Sequence, residues 1–177
     1  MDLVVDSCVI ISALVPTDAN HQPARTFFAA AKAKGDVLWS PATVLWDVSA
    51  VFSHPNKVEY GTRVPDDHGV DLHFVDVTAD LFFQTQAQTH LRLVGNELRH
   101  NRSSISGPDH VFLSCALSKR LPLVTWDTKV CEQAGRFGVA VLTPEEVVAG
   151  KPPGVTAPVP THDEVITELQ RRFASRD

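Results

Sequence analysis

Cysteine is scarce in this 177-residue chain. Cys8, Cys115 and Cys131 are the only three, an odd number with no CxxC spacing. That excludes a disulfide framework and a thiolate zinc ribbon, and free thiols fit a reducing cytoplasm. A basic excess is also lacking: the formal net charge is −5, so no whole-molecule positive field advertises a nucleic-acid ligand. Nor is there a long uninterrupted apolar run. Met1–Val15 is apolar but carries Asp2 and Asp6 and has no basic leader, so neither a signal peptide nor a membrane span is expected. His54, His68 and His73 lack the spacing of a metal-ligating set, which sets aside zinc. Ser103-Ser104 lacks the His and Asp pattern of a nucleophile.

What is present is enough apolar residue, 44%, for one domain with a real core. Leu3–Val5 reads as a buried strand, because consecutive apolar residues suit a sheet covered on both faces. A short helix follows over Val9–Leu14 and stops at Pro16. Asn20–Lys34 has Ala24, Phe27, Phe28 and Ala31 on one helical face, with Gly35 ending it. Val37–Trp39 is a second strand, and Ser40-Pro41 reads as the capped start of a helix carrying Val44, Leu45, Val48 and Val51. His54–Asp71 reads as a loop. Phe74–Val77 is a third strand, Ala79–Leu98 a long or broken helix, and Asn101–Pro108 a loop. Asp109–Lys119 and Thr128–Arg136 are helices, and Leu121–Thr125 and Val139–Leu142 complete five strands. This alternation predicts an α/β domain, three-layer α/β/α, with a mainly parallel five-stranded sheet.

The domain is expected to span residues 1–147, with a Pro-rich linker over 148–161 and a C-terminal amphipathic helix over 162–177. Val165, Ile166, Leu169 and Phe173 form the apolar stripe of that helix. It is too short to be stable alone and must dock on its own domain, a twin subunit or another protein. A homodimer is expected.

Four aspartates stand at or near the ends of these elements: Asp6, Asp47, Asp109 and Asp127. Asp6 ends the first strand, Asp127 follows the fourth, Asp47 interrupts an apolar helix and Asp109 opens another. An acid embedded in apolar sequence is costly unless it is paired or metal-bound. In open parallel sheets, ligands bind beyond the carboxyl ends of the strands, where the winding reverses. If the first and fourth strands are neighbours there, Asp6 and Asp127 converge. Two carboxylates about 4 Å apart repel by roughly 4 kcal/mol at an effective dielectric near 20. A cation relieves that repulsion. Mg²⁺ suits the donors, because it prefers oxygen, keeps several waters and takes one or two carboxylates directly. Such a site supports phosphodiester hydrolysis. Arg92, Arg99 and Arg102 fall close together, with two readings: a solvated helix face and loop, or a rim that contacts RNA phosphates. Cys8 and Cys115 read as small buried apolar residues. Trp126, beside Asp127, reads as core or crevice wall, or as a base-stacking surface.

These residues carry a family resemblance. Val4-Val5-Asp6-Ser7 before an apolar run resembles the opening of PIN domains, and Ser40-Pro41 before an acid-bearing apolar helix resembles their second motif. Gly107-Pro108-Asp109 followed by Phe112-Leu113-Ser114-Cys115-Ala116-Leu117 is similar to the third, and Leu123-Val124-Thr125-Trp126-Asp127 to the fourth. The likeness covers roughly residues 1–145, in order. It implies a metal-dependent endoribonuclease of the VapC toxin type, hydrolysing RNA and paired with an antitoxin protein. It implies Mg²⁺ or Mn²⁺ at Asp6, Asp47, Asp109 and Asp127, with Ser7 and Thr125 as supporting polar groups. The second motif usually supplies Glu where this chain has Asp47. The shorter side chain gives Asp47 a water-bridged role and leaves direct contacts to Asp6, Asp109 and Asp127. The alternative is a catalytically silent PIN-like module that binds RNA or a protein. A haloacid-dehalogenase-like phosphatase would want a second Asp where Cys8 stands, which sets that reading aside.

Overall fold

The computed structural model describes residues 1–53, 69–75, 107–156 and residue 167. The chain opens with β1 (Asp2–Val5), α1 (Ser7–Leu14), α2 (His21–Lys34), β2 (Val37–Pro41), α3 (Val44–Ser53) and β3 (His73–Val75). It continues through α4 (Gly107–Lys119), β4 (Leu123–Val124), α5 (Thr128–Phe137), β5 (Val141–Leu142) and α6 (Pro144–Val148). The five strands form one sheet in the order β3-β2-β1-β4-β5, and every pairing is parallel. The α/β expectation is met. The winding reverses between β1 and β4, which pair through Val4 with Leu123 and Val5 with Val124.

Burial explains the strand sequences. Leu3, Val4, Val5, Leu123 and Val124 are all fully buried, as central parallel strands covered by helices on both faces must be. Helix α2 buries Ala24, Phe27, Phe28 and Ala31, the predicted stripe. It ends at Gly35, whose left-handed φ of 69° lets its N–H reach the carbonyls of Ala31 and Lys32. Helix α4 reverses into β4 through Arg120, which takes a left-handed φ of 56°. Arg120 N–H and Leu121 N–H then cap the carbonyls of Leu117 and Ala116. That tight reversal places the start of α4 at the carboxyl edge of the sheet.

Two local readings need correction. Ser40 and Pro41 do not start a helix; they end β2, with Pro41 in register with Val75. The Ser40 hydroxyl donates to the Val5 carbonyl at 3.1 Å, so a strand-end contact claims the group that a cap would have used. Proline is tolerated because β1 pairs with β2 only as far as Trp39, leaving no ladder donor owed at Pro41. The short helix α6 is an addition to the elements expected from sequence. Its signal lies in Thr143-Pro144-Glu145-Glu146. Thr143 accepts from Glu146 N–H while the Glu146 carboxylate accepts from Thr143 N–H, with proline in the first turn.

Thr156 is buried and spans the entrances of β4 and β5. Its hydroxyl donates to Leu121 O at 2.9 Å and accepts from Ala140 N–H at 3.1 Å. The expected 79–98 helix, the loop over 54–68, Arg92, Arg99, Arg102 and the C-terminal helix lie outside the described residues. No helix among the described residues is long and apolar enough to cross a membrane.

Candidate metal centre

Each of the four acids sits at the cap or in the first turn of a helix. Asp6 occupies the N-cap of α1 and Asp127 that of α5, while Asp47 and Asp109 lie in the first turns of α3 and α4. Helices α1, α3 and α5 follow parallel strands, and α4 turns straight back into one. All four N-termini therefore gather at the carboxyl edge, and their positive dipole ends offset part of the negative charge placed there.

Asp6 is the floor of this group. Only 3% of it is exposed, although no charge-balancing Lys or Arg acts on it among the described residues. Its carboxylate does not cap α1. Instead Oδ2 accepts from Thr125 Oγ1 at 2.5 Å and from Cys8 Sγ at 3.4 Å, and Oδ1 lies 3.4 Å from Ser7 Oγ. Burial raises the Asp6 pKa; Thr125 and Cys8 oppose the rise, and the negative charge of Asp109 adds to it. Asp47 also has a raised pKa. Burial is the main cause, a hydrogen bond from Ser7 opposes it and Asp109 again adds to it. Asp109 thus acts on both neighbours, and Ser7 contacts both Asp6 and Asp47. Three of the four acids form one electrostatic group.

Asp127 joins through the backbone. The fully buried Thr125 accepts from Asp127 N–H at 3.0 Å while donating to Asp6, so one hydroxyl ties the two acids across the reversal point. Asp127 also caps α5: its Oδ1 accepts from Lys129 N–H at 2.8 Å and Val130 N–H at 3.1 Å. The cap uses Oδ1 and leaves Oδ2 outside it.

The donor set is hard oxygen, which fits Mg²⁺ or Mn²⁺. Among the described residues, no three His, Cys, Asp or Glu side chains stand ready around a single point. Mg²⁺ does not demand that, since it retains waters and contacts one or two carboxylates directly.

Cys8 reads from sequence as packing alone, and the structure adds a polar role. It is half-buried, and its sulfur touches Asp6 Oδ2 and, at 3.4 Å, Thr125 Oγ1. The available signal is its place two residues after Asp6, in the first turn of the helix that Asp6 starts. Burial first, and then the Asp6 charge, push the thiol pKa up to about 12. Cys115 is buried in the core and likewise pushed up to about 12. At pH 8 both thiols would be almost wholly protonated. Both cysteines should therefore resist iodoacetamide at pH 8 in the native protein and react once it is unfolded. Peptide mapping of the alkylated protein checks this, and rapid native labelling of Cys8 would contradict the packing described.

No family model matches the chain, and no curated protein matches it. Solved structures do. The chain is similar to VapBC2 from Rickettsia felis, solved bound to a DNA fragment from its promoter, at 16% identity and a TM-score of 0.58. That match covers 81% of this chain and 98% of the other. It is also similar to VapC20 from Mycobacterium tuberculosis, described as a sarcin–ricin loop cleaving toxin, at 20% identity and a TM-score of 0.50. There the match covers 73% of this chain and 93% of the other. The fold is therefore the PIN-like fold of VapC structures, as the sequence motifs implied.

Proposed function

We propose that this chain is a divalent-cation-dependent endoribonuclease and the toxin of a type II toxin–antitoxin pair. The observation that carries the reading is the buried Asp6 carboxylate at the sheet's reversal point, grouped with Asp47 and Asp109 and tied to Asp127 through Thr125. An acid buried there with no cationic partner among the described residues is costly in its charged form, and a bound cation would offset that cost. The fold shared with VapC structures, one of them described as a sarcin–ricin loop cleaving toxin, supports the choice of RNA and of an antitoxin partner. A homodimer belongs to the same reading.

Asp6, Asp109 and Asp127 would hold Mg²⁺ or Mn²⁺ between them, one or two directly and the remainder through bound water, and Asp47 would act through water. When bound, the cation supplies charge neutralisation at the phosphate and a more acidic water. The chain's own groups do the rest. Thr125 holds Asp6 Oδ2 in place, Ser7 spans Asp6 and Asp47, and the helix N-termini favour an anionic phosphate at this edge. Arg92, Arg99 and Arg102 would contact phosphates and position the strand without performing hydrolysis.

The test is cleavage of single-stranded and structured RNA in Mg²⁺ or Mn²⁺ and in chelator. Cleavage only with the cation supports the reading, and cleavage in chelator contradicts it. A silent PIN-like module would bind RNA or protein and cleave nothing under either condition.

Asp47 tests the division of labour among the acids. Asp47→Glu should retain or raise activity, because it restores the reach usual in this motif. Asp47→Asn should be the mildest of the four amide substitutions if the residue works through water. Initial cleavage rates decide this, and a loss as deep as that of Asp6→Asn would assign Asp47 a direct contact.

A further inference from the structure

Trp126 lies between two residues of the acidic group, and its backbone and side chain face different duties. Its backbone lies in the turn that Thr125 closes by accepting from Asp127 N–H at 3.0 Å, beside the floor of the site. Its ring is half-buried and packs partly on the hydrophobic core. The indole N–H donates to both carboxylate oxygens of Glu145, at 2.9 Å and 3.2 Å. Glu145 stands in the first turn of α6, where the Thr143–Glu146 capping box fixes the helix start. The ring is thus held from both sides: by the turn that carries Asp127 and by a carboxylate on a separate element. Trp39 makes a useful contrast, since Lys119 Nζ lies 3.6 Å from its ring centroid and the His73 ring lies tilted against it at 5.1 Å.

We infer that Trp126, oriented by Glu145, is a stacking platform for one unpaired nucleobase of the RNA beside the scissile phosphate. The inference rests on the ribonuclease reading above. Three features carry it. The ring is aromatic, partly exposed and one residue from a site acid. Its only polar atom is already satisfied, so it offers a π surface without competing for hydrogen bonds. The Glu145 carboxylate at its indole N–H repels phosphate, which favours a base over the backbone at that position. A ring whose orientation is fixed in advance loses little freedom on stacking.

The experiment is abasic scanning in the full chain. A cleaved oligoribonucleotide is made with a single abasic position, moved in turn across the nucleotides flanking the cut. kcat/KM is then measured in Mn²⁺ for the wild type, Trp126→Ala, Trp126→Phe and Trp126→Leu. The wild type should lose about five- to one-hundred-fold at one position, mainly through KM. At that same position Trp126→Ala and Trp126→Leu should lose nothing further, having already shown the loss on intact RNA, and Trp126→Phe should behave nearly as wild type. Leucine keeps apolar volume against the core, so it separates stacking from folding. Equal abasic penalties in wild type and Trp126→Leu would overturn the inference while leaving the ribonuclease reading intact. Failure of the wild type to cleave RNA at all would overturn both.

Discussion

Replacing Asp6 by asparagine should lower RNA cleavage by about two to three orders of magnitude, the size of loss typical when a central electrostatic group is removed. The same change should raise the melting temperature of the chelated protein. The substituted amide keeps an oxygen to accept from Thr125 Oγ1 and removes a buried charge that Asp109 repels. The pH dependence has a definite sign. Burial raises the pKa of Asp6 in the fold, so between its unfolded and folded values the native state binds more protons than the unfolded chain. The Asp6 contribution to the stability of the metal-free protein therefore grows as pH falls through the folded-state pKa towards the unfolded one, and it disappears in Asp6→Asn. Thermal melting across that range with chelator present, beside initial cleavage rates with Mn²⁺, measures both effects. A destabilised Asp6→Asn would mean that the carboxylate serves the fold, against the present account.

Thr125→Val should move stability the other way. Valine matches threonine in shape, but its missing hydroxyl leaves Asp6 Oδ2 without its shortest donor and Asp127 N–H without its acceptor. Asp6 Oδ2 keeps only its contact with Cys8, and an orphaned buried group costs roughly 1–3 kcal/mol, so urea unfolding should show a loss of about 1–3 kcal/mol. Activity should fall as well, since both Asp6 and the Asp127 turn lose their common tie. Thr125→Ser should restore most of both properties, because it returns the hydroxyl. A Thr125→Val protein as stable as wild type would remove Thr125 from its linking role. Opposite stability changes from Asp6→Asn and Thr125→Val, two residues in mutual contact, separate a site built at the fold's expense from an ordinary buried polar network.

The sheet is legible in the sequence because central parallel strands are apolar on both faces, and Leu3-Val4-Val5 and Leu123-Val124 can hardly do anything else. The adjacency of β1 and β4 is only a condition in the sequence; the pairing of Val5 with Val124 meets it and brings Asp6 beside Thr125. Ser40-Pro41 misleads because a hydroxyl followed by proline starts helices as readily as it ends a strand, and only the Val5 carbonyl, 35 positions away, decides between them. Helix α6 escapes notice although Thr143-Pro144-Glu145-Glu146 contains every part of a capping box, because five residues are too few for a visible apolar period. In the site, the acids are legible through their cost in apolar surroundings. Ser7 and Thr125 come from resemblance alone, since a hydroxyl in a strand end or first turn has no signature of its own. Cys8 is readable only as an apolar residue, because its contacts with Asp6 and Thr125 arise from a partner 117 positions away as much as from its own helix.

The claim that these acids hold one divalent-cation site is tested most directly by calorimetric titration of Mn²⁺ into the RNA-free chain and its Asp6→Asn and Asp109→Asn variants. Saturable binding by the wild type, abolished or strongly weakened in both variants while their folds persist, is the predicted result. Mn²⁺ isotherms for Asp6→Asn and Asp109→Asn that match the wild type would contradict it.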